Sequence, residues 1–224
     1  MVDMKIQLFA ADISDLCDRE LYERALSVLD EDRRTRAERI RNEAGQRLSA
    51  GAGLLLKHAL SLSGAENAVI IRHEGGKPYI EGRNDLFFSL SHSGSMVICA
   101  AAPCEVGCDI EAVRPSVNRI AERYFTKEEQ AFTALADDNF FRMWTLKESF
   151  MKVTGKGLAL PLKEFSINVS DGNISVTQNV DGRTYSFKEY FSIDGYCCSV
   201  CAADMGGSSF GETVICCDIK KLIR

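Results

Sequence analysis

At 224 residues, 46% of them hydrophobic, the chain can bury a sizeable core as one large domain or two small ones, which excludes wholesale disorder. Its net charge of −5 argues against a general nucleic-acid binder, and no run approaches the ~20 apolar residues of a membrane span. Nine cysteines invite a disulfide or zinc reading. However, Cys198-x-x-Cys201 has no second pair or neighbouring histidines, and Cys99, Cys108, Cys197, Cys216 and Cys217 lie in apolar runs. They are read as small buried residues of a reduced, cytoplasmic protein.

In chain order, "MVDMKIQLFAADI" lacks an apolar segment behind a basic cap, so it is read as a strand over Met4–Ala11 and not as a signal peptide. Helical pattern follows from Asp15 to about Leu29 and again through the basic run "RRTRAERIR", Arg33 to Arg41. Leu48, Ala52, Leu55, Ala59 and Leu62 share one face of a helix that stops at Gly64. "AVIIRHEGGKPYI" reads as a strand, a Gly-Gly turn and a return, and "DLFFSLSHSGSMVICAAA" as two strands around a His92-Ser93-Gly94 turn. After "VGCDIE" come helices near Val117–Tyr124, at "TKEEQAF", and over Phe140–Thr154, closed by Gly155. The remainder is mostly strands punctuated by Asp-Gly turns. "GSMVICAAAP" is echoed by "GYCCSVCAAD", and the echo predicts two related α+β halves, 1–104 and 105–224, with a ligand crevice between them.

Alternate residues of a strand share a face, so Asp109 and Glu111 point the same way while Val106, Cys108 and Ile110 point to the opposite, buried face. Two carboxylates so close repel, and a divalent cation relieves them; a solvated strand edge is the plainer alternative. Oxygen ligands alone favour Mg²⁺ or Mn²⁺ over zinc. Glu148, set one turn after the single tryptophan Trp144 and beside Phe150 and Met151, is the candidate third ligand. Lys152 one turn on would face phosphate oxygens, unless the two form only a surface ion pair. Arg33 and Arg36, at i,i+3, are spaced to grip one phosphate, if the basic run is not just a solvated helix face. Arg47 and Lys77 are further candidate cations. His92 with Ser91 and Ser93 would cradle an anion in the turn, whereas His58 and His73 have no suggested partner. The set describes a Mg²⁺-dependent polyphosphate site without a Walker loop or a Rossmann glycine pattern.

"GKP", "FFSLSHS", "VGCDIE", "FTKEE" and "WTLKESFMKVTGKGL" occur in an order and spacing that resembles the 4′-phosphopantetheinyl transferases, in their larger, monomeric Sfp type. The resemblance covers nearly the whole chain. It implies two similar α+β halves related by a pseudo-twofold, with coenzyme A bound between them as co-substrate. It further implies transfer of the phosphopantetheine arm to a serine of an acyl, peptidyl or aryl carrier protein, with release of 3′,5′-ADP. On this resemblance Asp109, Glu111 and Glu148 would ligate Mg²⁺, Lys152 would contact the pyrophosphate, and Glu148, or a metal-bound water it orients, would take the serine proton. Arg33, Arg36 and His92 would meet the 3′-phosphate, with Ser91, Lys77 and Arg47 lining the coenzyme site. Glu129 is either a base, as the family sometimes assigns it, or a helix cap paired with Thr126; the cap is favoured. Alternatives are a catalytically inactive relative that binds coenzyme A or a carrier without transfer, and a Mg²⁺-dependent nucleotide hydrolase.

Overall fold

A computed structural model of the chain describes residues 5–72, 76–115, 118–170 and 172–223. Met4, His73, the Gly75 end of the Gly-Gly turn, Val117 and Asp171 lie outside the described residues. Strand β1 (Lys5–Asp12) leads into helices α1 (Arg19–Ser27), α2 (Glu31–Glu38) and α3 (Glu43–Leu62). Each opens on a side-chain cap: Asp18, Asp30 and Asn42 accept from the N–H groups of Leu21, Arg33 and Gly45. Asp18 therefore splits the helix predicted from Asp15 into a 3-10 turn (Ser14–Cys17) and α1. The first half continues with β2 (Ile70–Arg72), β3 (Pro78–Ile80), β4 (Phe87–Ser93) and β5 (Met96–Ala102).

The second half begins with β6 (Val106–Ala112), followed by α4 (Asn118–Tyr124), α5 (Lys127–Thr133) and α6 (Asn139–Thr154). Then come the hairpin β7 (Phe165–Ser170)–β8 (Asn173–Gln178) and strands β9 (Tyr185–Tyr190) and β10 (Tyr196–Ala203). The two main sheets repeat one topology. In each, the first strand pairs antiparallel with the last, and the last with the one before it: β1-β5-β4 and β6-β10-β9. The echo seen in sequence is this shared central strand, β5 or β10. The fold is α+β, in two similar halves.

Side-chain alternation sorts the core into layers. Ile6, Leu8 and Ala10 of β1 and Ile98 and Ala100 of β5 meet Val106, Cys108, Ile110, Cys198 and Val200 between the two sheets. Phe9, Ala11, Val97 and Cys99 face the opposite way, onto Leu54, Leu55 and Ala59 of α3. Cys197, Cys201 and Ala203 face Phe141, Leu146, Phe150 and Val153 of α6. Cys198 and Cys201 thus sit on opposite faces of β10, buried as apolar residues. Cys216 departs from the expectation: it is exposed on a two-residue strand. Leu62 also departs, at 61% exposure, because the chain reverses there and the Ala65 N–H donates to the Leu60 carbonyl.

One crossing was not anticipated by the division after residue 104. Strands β11 (Ser209–Phe210) and β12 (Ile215–Cys216) pair parallel with β1, and Ile219 and Ile223 enter the α3-side core. The tail touches the second half as well, where Lys188 and Tyr190 donate to the Gly211 carbonyl. Among the described residues no helix is long and apolar enough to cross a membrane.

Candidate active site

The site grows from the contact of α6 with β6. Gly107 makes it possible: a Cβ there would lie 2.1 Å from the Ser149 carbonyl oxygen and 2.5 Å from the Val153 amide nitrogen. With only hydrogen on that face, the helix settles on the strand, and the next two residues of the same parity, Asp109 and Glu111, come up beside it. Asp109 is 4% exposed and Glu111 and Glu148 are partly buried. Burial, with the nearby Asp109 charge adding to it, raises the pKa of Glu148 above the usual carboxylate value; Glu111 is raised by burial too, with Asp109 again adding. The charges of Asp109 and Glu111 thus reach Glu148, although among the described residues no three such side chains are drawn together closely enough to hold a metal ion.

Lys152 joins these charges. Its ammonium lies 2.7 Å from Asp109 Oδ1 and donates to Ser91 Oγ (2.8 Å) and the Cys108 carbonyl (3.0 Å). Burial works to lower its pKa, but Asp109 and the other acids outweigh this and hold it raised. Ser91 Oγ also donates to Asp109 Oδ1 (2.6 Å), so that oxygen is saturated, while Asp109 Oδ2 is buried without a partner. Among the described residues Glu148 receives no hydrogen bond. A buried bare carboxylate oxygen among acids that repel one another, all hard oxygen donors, fits a Mg²⁺-like cation.

Ser91 and Lys152 also line a cleft of about 610 Å³ between the halves. Arg33, Arg36, Lys77 and His92 line it too. Burial first, then the Arg36 charge, lowers the pKa of Arg33, and the same two causes lower that of Arg72. Arg36 bonds to Asp32 at 3.3 Å, but its Nε is buried without a partner. Three guanidiniums are therefore crowded on one wall of the cleft. Lys77 is tied to Glu105 and donates to the Val153 carbonyl (3.0 Å), so it braces the cleft across the halves as well as lining it. His92 lies on the cleft wall, where desolvation, with the Lys152 charge adding, lowers its pKa. Gly155, left-handed at φ 71°, ends α6 at the cleft rim.

Several expectations change. Arg47 does not line the cleft; it sits in a separate groove near Tyr22, paired with Glu43 at 3.4 Å. His92 and Ser93 belong to strand β4, and the turn is only Gly94-Ser95, with Ser93 opposite Met96 and Gly94 at φ 59°. Pairing with β5 runs through Ser93 and keeps the serines in the strand; Ser91 donates to Asp109 and Ser93 to Glu111, so they address the protein's own carboxylates and not a bound anion. Glu129 makes the full capping box with Thr126, and its Oε1 binds the buried Lys147 ammonium (2.5 Å) and the Ile167 N–H (2.8 Å). It is a cap and a structural ion pair. Arg72 was missed by the sequence reading; its signal was the hairpin register, which sets it opposite Pro78 and so beside Lys77.

The chain is similar to known proteins. The profile of the 4′-phosphopantetheinyl transferase superfamily matches residues 105–201. The chain is 33% identical over 195 residues to 4′-phosphopantetheinyl transferase Sfp of Bacillus subtilis (strain 168), spanning 83% of this chain and 87% of that one. It is equally similar, over the same spans, to 4′-phosphopantetheinyl transferase ffp of Bacillus subtilis. To 4′-phosphopantetheinyl transferase psf-1 of Bacillus pumilus it is 29% identical over 223 residues, spanning 94% and 96%.

Proposed function

Because the chain belongs to the 4′-phosphopantetheinyl transferase superfamily, we propose that it moves the 4′-phosphopantetheine arm of coenzyme A onto a serine of an acyl, peptidyl or aryl carrier protein, releasing 3′,5′-ADP, with Mg²⁺ required. One observation carries the chemistry. Among the described residues, the two buried side-chain atoms left without a partner are a guanidinium nitrogen, Arg36 Nε on the first half, and a carboxylate oxygen, Asp109 Oδ2 on the second. Unmet buried donors and acceptors are demands for a ligand; Arg36 lines the cleft, and Asp109 sits directly behind its lining residues Ser91 and Lys152. An anion on the first wall and a cation on the second are what a metal-chelated polyphosphate offers.

Arg33, Arg36 and Arg72 would hold the phosphate at the nucleotide end, with His92 beside them. Asp109, Glu111 and Glu148 would hold Mg²⁺, and Mn²⁺ suits the same oxygens; the chemistry such an ion supplies is neutralisation of diphosphate charge. The carrier serine oxygen bonds to the phosphorus bearing the pantetheine arm, and the phosphorus–oxygen bond to the nucleotide breaks. Glu148, with its raised pKa and no hydrogen bond of its own, takes the serine proton. Lys152 meets the charge that develops on the departing phosphate. The exposed Arg34, Arg39 and Arg41 beside the cleft helix would steer an acidic carrier. The reading carries with it a monomer acting in the cytoplasm.

The test is incubation with coenzyme A, Mg²⁺ and an apo-carrier, read by mass spectrometry. A carrier heavier by one phosphopantetheine arm is expected, and Asp109→Asn should slow its formation by more than about 100-fold while leaving the circular dichroism unchanged. Binding of coenzyme A without a mass gain would favour the inactive relative, and unimpaired transfer by Asp109→Asn would remove the cation assignment.

A further inference from the structure

Where β4 and β6, the edge strands of the two sheets, come together, side chains do the work of a backbone ladder. Ser89, Ser91 and Ser93 alternate along β4 and so share a face. Each reaches a partner 18 or 19 residues on: Ser89 Oγ accepts from the Cys108 N–H, Ser91 donates to Asp109, and Ser93 donates to Glu111. We propose that Ser93, which comes from the first half, is a positioning residue that fixes the Glu111 carboxylate of the second half for the divalent cation; this rests on the cation reading above.

The hydrogen positions follow from the bonding. The Ala112 N–H donates to Ser93 Oγ at 3.1 Å, which uses the hydroxyl as an acceptor, so its single proton is committed to Glu111 Oε2 at 2.8 Å. Arg114 approaches that same Oε2, at 3.8 Å. One oxygen of Glu111 is thereby engaged and the carboxylate plane held, which leaves Oε1 to face a ligand. The turn after Ser93 is fixed as well: the Ser95 N–H donates to the Tyr196 hydroxyl at 3.2 Å, and a Cβ on Gly94 would come within 2.5 Å of that oxygen. Neither Ser93 nor Glu111 lines the cleft, so Ser93 acts on the cation through Glu111 and not by touching coenzyme A.

Mn²⁺ binding to the full chain without coenzyme A, followed by electron paramagnetic resonance, tests this apart from turnover. Ser93→Ala should weaken Mn²⁺ binding about 10-fold and raise the half-saturating Mg²⁺ for transfer in proportion. The KM for coenzyme A at saturating Mg²⁺ should stay put, and Ser93→Thr should restore Mn²⁺ binding. Glu111→Gln is the control. If it weakens Mn²⁺ binding while Ser93→Ala stays within about 2-fold of the parent, the positioning role is overturned. If Glu111→Gln changes nothing either, the cation reading itself fails. Should Ser93→Ala not fold, Ser93→Cys, which keeps the volume and weakens the donor, takes its place with the same two outcomes.

Discussion

Helix α6 carries two lysines that each meet a carboxylate, five residues apart and on different sides. Lys147 and Glu129 are both wholly buried at the side chain, and every group is answered. The ammonium also donates to the Phe165 carbonyl at 3.0 Å and lies 4.2 Å from the Phe165 ring centroid, while Glu129 receives the Ile167 and Thr126 N–H groups. Lys152 and Asp109 meet at a similar distance, 2.7 Å, but the pair opens on the cleft and leaves one Asp109 oxygen bare. The residue types are nearly the same. What separates architecture from chemistry is whether the bonding is finished.

Breaking the finished pair should have the largest effect on the fold. Glu129→Ala strands the Lys147 ammonium in the core and removes one half of the α5 capping box, and should cost about 3–5 kcal/mol in urea unfolding. Transfer per folded molecule should persist; a variant that folds as well as the parent yet loses transfer would restore the base reading of Glu129. Next comes the wedge between α6 and β6. Gly107→Ala drives a methyl into the Ser149 carbonyl and the Val153 amide, backbone that cannot turn aside. We expect a loss of about 1–3 kcal/mol or more, with transfer falling because Asp109 and Glu148 ride on the displaced elements.

A smaller effect of opposite sign sharpens the contrast. The folded protein raises the pKa of Glu148, chiefly by burial, so the ionised side chain opposes folding at neutral pH. Between the ordinary carboxylate pKa and the raised one, the folded state binds more protons than the unfolded state, and lowering the pH through that window relieves the penalty. Glu148→Gln in chelator should therefore raise Tm at pH 7, by less than about 3 °C. The gain should vanish as pH falls toward the ordinary carboxylate value; an advantage that persisted there would point to packing instead. Smallest of all is Arg47→Ala. Its partner Glu43 is largely exposed and its groove is separate from the cleft. Transfer and stability should change by no more than about 0.5 kcal/mol in equivalent terms.

The legible parts of the sequence were those governed by short periods. The parity of "VGCDIE" placed Asp109 and Glu111 on one face, and α6 runs within a residue of the predicted Phe140–Thr154. The shared Cys-Ala-Ala strand revealed the repeated half. What escaped depends on partners far along the chain. Glu129 and Lys147 are 18 residues apart on separate helices, and no local pattern marks them as a pair. The serines of "SLSHS" read as turn formers because hydroxyls usually bond locally, whereas pairing with β5 makes them strand residues and β6 supplies their side-chain partners. Arg72 enters the cleft through a hairpin register, and Arg47 misses it because charge alone does not set direction.

The tail that returns to β1 has a consequence for how this molecule comes into being. A nascent chain emerges from its first residue onward, and the second half has all of β6, β9 and β10 by residue 203. The first half must wait for Ile219 and Ile223 to close over α3. The wall that bears the arginines is thus sealed later than the one that bears the acids, and both sides of the crevice stand complete only once residues 219–223 have joined it.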